Sequence, residues 1–233
     1  MEIKVYKDKQ EVAKEFSEFL AERIASGKNY SVALSGGSTP KVVFDYLAEH
    51  YKNIEWSNVH FYWGDERCVP PTDAESNFKM TVDHLLSKIS IPEQNIHRVF
   101  GENDPEDEAK RYGDLLASTL SSANRLPQFD LVILGMGSDG HTASIFPHQI
   151  GLWHSQANCE VAVHPDSGQK RISLTGSIIN NAKEVAFLVT GADKKEKVTS
   201  ILAKDEASKD YPASLVAPRS GKLYWFLDEL ISK

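Results

Sequence analysis

A chain of 233 residues, 41% hydrophobic and 25% charged, can bury a full core as one large α/β domain or two small ones. Its formal charge of -7 argues against a nucleic-acid surface but leaves room for a local basic pocket that takes a small anion. Cys68 and Cys159 make neither a disulfide framework nor a CxxC metal pair, the opening MEIKVYKDKQ lacks a signal-peptide pattern, and no run approaches the roughly 18 apolar residues of a membrane span, so the expected location is the cytoplasm.

Strand and helix patterns alternate from end to end. Residues 3–6 read as a short strand, and Asp8 with Glu11 fits a capping box for a helix that presents Val12, Phe16, Phe19, Leu20 and Ile24 on one face. Residues 31–34 read as a strand running into SGGSTP, where Pro40 suits the first turn of a helix bearing Val43, Tyr46 and Leu47. A third strand, 59–63, leads into the loop GDERCVPPTDAESN and a helix from about Phe78. A short strand near 98–100 and a helix over 105–120 precede the apolar run 131–134, which breaks at Gly135, Gly137 and Gly140 and delivers Asp139 and His141 where a helix can start. Beyond it, 171–174, 185–189 and 222–227 read as strands, with helices starting near Ser177 and Ala192. The alternation predicts an α/β fold, a Rossmann-like three-layer α/β/α arrangement with a mainly parallel sheet, as a single domain over 1–233.

The chemistry concentrates where strands end. In an open parallel sheet ligands bind beyond the carboxyl ends of the strands, where helix N-termini offer free N–H groups. An imidazole, whose unperturbed pKa is near 6.5, can exchange protons at neutral pH, which makes His141 a candidate acid–base group; the alternative is a loop histidine satisfied by its neighbours. Ser35, Gly36, Gly37, Ser38 and Thr39 link a strand to a helix N-terminus and let backbone N–H groups approach an anion, or else form a tight turn with a Ser/Thr cap. The Walker spacing is absent. Arg67, after another strand, has planar donors for a carboxylate, phosphate or oxyanion, with Asp65 and Glu66 as alternative salt-bridge partners. Arg171 and Lys194 fall at strand ends; a cation in the first turn of a helix is disfavoured by the dipole, which hints at an anion beside Lys194 unless that lysine is simply solvated. Gly135-x-Gly137-x-x-Gly140 satisfies the bare dinucleotide fingerprint, but the region that would carry its acidic partner, HQIGLWHSQANCE, has no apolar run leading into Glu160, so a nicotinamide site is not expected.

Taken in order, SGGSTP, GDERCVP with Ser76-Asn77, LGMGSDGHTASIFP, Arg171-Ile172-Ser173-Leu174-Thr175 and Gly191-Ala192-Asp193-Lys194 resemble the 6-phosphogluconolactonases over nearly the whole chain. The resemblance implies a fold shared with glucosamine-6-phosphate deaminases, and hydrolysis of 6-phospho-D-glucono-1,5-lactone without metal or organic cofactor. What such a hydrolysis needs assigns His141 as general base, Asp139 to orienting the imidazole or a water, and Arg67 to charge stabilisation near the reacting or phosphate end, and the resemblance implies that the SGGST backbone with Arg171 and Lys194 holds the phosphate. A small sugar-phosphate lactone is the expected partner, with no nucleic acid or membrane, and the expected state is a monomer.

Four other readings compete. The deaminases are similar in the Asp-Gly-His turn, but theirs continues as DGHIAFNEP, and here Phe146 stands before Pro147 where they carry a glutamate. A serine hydrolase lacks its Gly-x-Ser-x-Gly elbow, and His141, His148, His154 and His164 lack HExxH-type pairing for a metal hydrolase. A non-catalytic sugar-phosphate sensor on the same fold is the reading from outside enzymology.

Overall fold

The structure is a computed structural model that describes residues 1–26 and 28–232. Among the described residues the elements, in chain order, are β1 (Glu2–Tyr6), α1 (Lys9–Ile24), β2 (Tyr30–Leu34), α2 (Ser38–His50), β3 (Val59–Trp63), β4 (Asp65–Arg67), α3 (Asn77–His84), β5 (Ile96–His97), α4 (Pro105–Thr119), β6 (Ser121–Ala123), β7 (Leu126–Gln128), β8 (Leu131–Leu134), β9 (Cys159–Val163), β10 (Lys170–Leu174), α5 (Gly176–Ile179), β11 (Glu184–Val189), α6 (Lys195–Ala203), β12 (Leu223–Asp228) and α7 (Glu229–Ser232).

Seven strands pair in the order β1-β12-β11-β8-β2-β3-β5, and every pairing is parallel. All residues of β8 and β11 are buried, as a parallel strand covered by helices on both faces requires. From β2 the chain works outward through β3 to β5, then returns to lay β8 against the other side of β2 before continuing to β11 and β12. The seam between β2 and β8 is therefore the switch point, where the loops leaving the two strands diverge into a crevice.

Local chemistry accounts for the helix starts. The Asp8 side chain accepts from the backbone N–H groups of Gln10 and Glu11, while Glu11 reaches back to the Lys7 N–H at 2.7 Å, one residue earlier than a strict capping box. Val12, Phe16, Leu20 and Ile24 are buried along α1, with Phe16 edge-on to Phe226 of β12 at 5.1 Å. Asp104 caps α4 ahead of Pro105 in the same manner.

Several expectations are corrected. Residues 171–174 lie in a strand, but in a separate antiparallel sheet, β4-β10-β9, rather than in the parallel one. Two members of that sheet escaped the pattern: β4 is three charged residues inside an apparent loop, and β9 starts at Cys159, within the last residues of the stretch that looked strandless. The strand near 98–100 lies earlier, at Ile96–His97. No helix starts at Asp139 or His141; the chain forms a tight turn, and a 3-10 segment begins only at Pro147.

Candidate active site

The loops at the switch point enclose a cavity of about 250 Å³. Its wall includes Ser35 to Pro40 after β2, Arg67 of β4, Gly135, Met136, Gly137 and His141 after β8, Arg171 of β10, and Thr190 and Lys194 after β11. Nine of the ten residues singled out from the sequence meet here: Ser35, Gly36, Gly37, Ser38, Thr39, Arg67, His141, Arg171 and Lys194. The tenth, Asp139, stands behind His141.

Asp139 and His141 are two residues apart, a spacing that would turn them to different sides of a helix. The turn brings them together because Gly140 takes φ +85°, with its N–H donating to the Gly137 carbonyl, while the Gly137 N–H donates to the His141 carbonyl. Asp139 Oδ1 then lies 2.6 Å from His141 Nδ1 and also accepts from the His141 backbone N–H. Burial pushes the Asp139 carboxyl up, but the hydrogen bond and charge of His141 outweigh it and hold the group at about 2. An ionised carboxylate only accepts, so Nδ1 carries a proton, and in the neutral imidazole Nε2 keeps the lone pair. The turn is held from outside as well, by Thr142 Oγ1 on the Gly135 carbonyl and by the Ala213 N–H on the Gly140 carbonyl.

Facing this turn is the start of α2. Gly37 occupies the N-cap at φ +111° and no side chain caps the helix, so the first N–H groups open onto the cavity. The Thr39 hydroxyl is 2.8 Å from that of Thr190, which ties this helix start to the end of β11.

The positive charge is arranged by strand register. Arg67 and Arg171 are directly opposed across the β4–β10 pair, an unfavourable placement for like charges. Burial and, after it, the Arg67 charge hold Arg171 below arginine's ordinary pKa. Arg67 Nη1 donates to the Glu75 carbonyl, but the buried Nε of each guanidinium has no partner among the described residues. The alternative salt bridges from Asp65 and Glu66 to Arg67 do not form among the described residues. Glu66, 2% exposed, accepts instead from the backbone N–H groups of Phe78, Asn77 and Arg67 and from the Ser76 hydroxyl, which clamps β4 to the start of α3; burial still leaves its carboxyl raised. Asp65 accepts from the Ser144 hydroxyl. Lys194 sits at the N-cap of α6 and pairs with Asp193, so a local carboxylate accompanies the cation at that helix start.

Asp65, Asn77 and Thr190 also line the cavity, and none of them was assigned a site role from the sequence. Asn77 carried one signal, a Ser-Asn pair at a helix start just after the charged loop; its buried amide donates to the Asp65 carbonyl and packs so closely on Gly36 that a Cβ there would lie 1.9 Å from its Oδ1. His148 and His154 are exposed and lie outside the cavity wall.

The sequence profile of the family described as glucosamine-6-phosphate isomerases/6-phosphogluconolactonase matches residues 7–225. A 6-phosphogluconolactonase of Treponema pallidum is 42% identical over 218 residues, covering 93% of this chain and 90% of its own. Among solved structures, one described as devB protein superposes with a TM-score of 0.94 at 42% identity, covering 99% of this chain and 98% of that one. The 6-phosphogluconolactonase of Trypanosoma brucei gives a TM-score of 0.89 at 30% identity, covering 99% and 97%. With the profile matched over most of its length and relatives above 40% identity along nearly the whole of both chains, this chain belongs to the glucosamine-6-phosphate isomerase/6-phosphogluconolactonase family.

Proposed function

We propose that the protein hydrolyses 6-phospho-D-glucono-1,5-lactone to 6-phospho-D-gluconate, with His141 as the general base. One observation carries the reading: a single cavity holds an imidazole whose Nδ1 is committed to Asp139, two guanidiniums with unpartnered Nε atoms, and the uncapped start of α2. Relatives named 6-phosphogluconolactonase at 42% and 43% identity support the substrate.

The steps follow from those groups. Water attacks the lactone carbonyl as His141 Nε2 takes its proton, giving a tetrahedral oxyanion and an imidazolium stabilised by ionised Asp139. The oxyanion collapses, the ring oxygen leaves, and the imidazolium returns the proton to it as the sugar hydroxyl forms. Arg67 stabilises charge at the reacting or phosphate end of the substrate. The SGGST backbone, Arg171 and Lys194 hold the phosphate, where charge-assisted contacts from rigid donors are strongest. The same reading takes the chain as a single domain, monomeric and cytoplasmic, acting on a small sugar-phosphate lactone without cofactor, nucleic acid or membrane; no helix among the described residues is long and apolar enough to cross a membrane.

The test is a lactone hydrolysis assay with the spontaneous rate subtracted, run beside ammonia release from glucosamine 6-phosphate. Lactone turnover without ammonia is expected. Ammonia release would make the protein a deaminase, and binding without either turnover would make it a sensor.

A further inference from the structure

The groups that hold His141 and Arg171 differ in a way that leaves one side chain common to both. Among the described residues the imidazole makes one side-chain hydrogen bond, Nδ1 to Asp139, which leaves Nε2 unheld by any hydrogen bond. Arg171 has less: its Nε is buried without a partner among the described residues, and its strand neighbour Arg67 repels it. Between them lies Phe146, 1% exposed. The His141 ring sits 4.7 Å from the Phe146 ring, tilted by 49°. The Arg171 Cζ lies 5.6 Å from the same ring centroid. From the outer side His164 meets Phe146 edge-on at 5.2 Å, and His148 lies at 5.9 Å. The cavity wall contains both His141 and Arg171 but not Phe146.

We propose that Phe146 is a positioning residue that fixes the His141 imidazole and the Arg171 guanidinium relative to one another by packing both against one buried ring. The proposal rests on the roles of His141 and Arg171 in the proposed lactone hydrolysis. The ring blocks rotation of the imidazole about its Asp139 bond and so sets where Nε2 points. Its π-electron face favours a cation, which suits the permanent charge of Arg171 and the transient charge that His141 acquires on taking the water proton. The two ends of the substrate are thereby gripped by groups referenced to one rigid body, and misplacement by about 1 Å is enough to cost on the order of 100-fold in rate.

The experiment is a double-mutant cycle. Phe146→Leu keeps apolar bulk and removes the ring; it is measured in the wild type and in His141→Asn, with folding checked by circular dichroism and melting temperature. Expected is a fall in kcat of about 10- to 100-fold in the wild type, shrinking to within about twofold, the additive range of independent sites, once His141 is gone. Binding of 6-phosphogluconate is expected to weaken severalfold in the wild type but not in Arg171→Met, and Phe146→Tyr, which keeps the ring, is expected to restore most of the turnover. An undiminished kcat in Phe146→Leu overturns the proposal, as does an equal loss in both backgrounds, which would signal general loosening. Near wild-type turnover in His141→Asn alone would overturn the role of His141 itself and this proposal with it, whereas a normal loss there beside a silent Phe146→Leu would overturn this proposal alone. Should the leucine variant fail to fold, Phe146→Met is carried through the same cycle and read in the same way.

Discussion

Asp139 is ionised at every pH where the fold would be assayed, because the hydrogen bond and charge of His141 hold it at about 2 against the upward push of burial. Its depressed pKa contributes stability that is fully present above the ordinary value of 3.8 and is lost as pH falls toward 2. An acid limb of kcat/KM near neutrality therefore cannot come from Asp139. His141→Asn is expected to lower kcat by about two to four powers of ten, the span of a general base, and to remove that limb from any residual activity. A limb that survives in the variant's pH profile would reassign the titration to the substrate phosphate or to Asp139, which loses in the variant the imidazole that lowers it. Removing the charge of Lys194 with Lys194→Met tests the other end of the substrate: binding of 6-phosphogluconate should weaken by about 10- to 100-fold, in line with roughly 1.5–3 kcal/mol for a charged hydrogen bond, while unphosphorylated gluconate is little affected. Calorimetric titration of both ligands reads the difference, and equal weakening would place Lys194 on the sugar or in folding.

The turn from Gly137 to His141 acts as one element. A Cβ on Gly137 would lie 2.1 Å from His141 Nδ1 and 2.5 Å from Asp139 Oδ1, so Gly137→Ala is expected to part the pair and cost kcat as heavily as Asp139→Asn, with affinity for 6-phosphogluconate kept within severalfold. Steady-state kinetics separates kcat from binding, and a normal kcat would show that the turn opens without moving the imidazole. The outer side of the turn is equally tight. At Gly140 a Cβ would lie 2.7 Å from Tyr211 and the backbone is left-handed, so Gly140→Ala is expected to lower the melting temperature as well as the turnover. These elements also show what a sequence reveals. His141, Arg67, Arg171, Lys194 and the SGGST loop were legible because glycines and ionisable side chains at the ends of apolar runs are uncommon enough to stand out. Asn77 and Thr190 were not, since amides and hydroxyls occur in most loops. Strand β4 was illegible for a different reason: Asp-Glu-Arg has no strand propensity, and it is extended because α3's backbone captures Glu66 while β10 supplies the register.

At the scale of the molecule, the alternation of strands and helices was plain because buried parallel strands such as β8 and β11 are unbroken apolar runs, but the order in which they pair was not. Nothing local in β1 names β12, near the other end of the chain, as its neighbour. At the far edge of the sheet, burial and then the charge of His60 depress His97 to about 4, with the two rings 3.2 Å apart between Nδ1 and Nε2. The folded state thus favours neutral His97: its contribution is present above the ordinary 6.5 and is lost as pH falls toward 4. The melting temperature is expected to drop by several degrees between pH 7 and pH 5, and His97→Gln should flatten that drop. An unchanged slope in the variant would assign the acid sensitivity elsewhere.

The seam between β2 and β8 joins strands separated by about a hundred residues of intervening chain, and the lysine and arginine that complete the cavity arrive from later strands still. No short contiguous segment of the polypeptide contains the whole site. A ribosome-bound or truncated product ending before β10 has the SGGST loop, Arg67 and His141 but neither Arg171 nor Lys194, so two of the cations that would hold the sugar phosphate are still missing. Ligand binding is then coupled to long-range closures of the chain rather than to any local nucleus, and 6-phosphogluconate should act on this chain as a stabiliser of the complete fold in preference to partly folded states that lack Arg171 and Lys194.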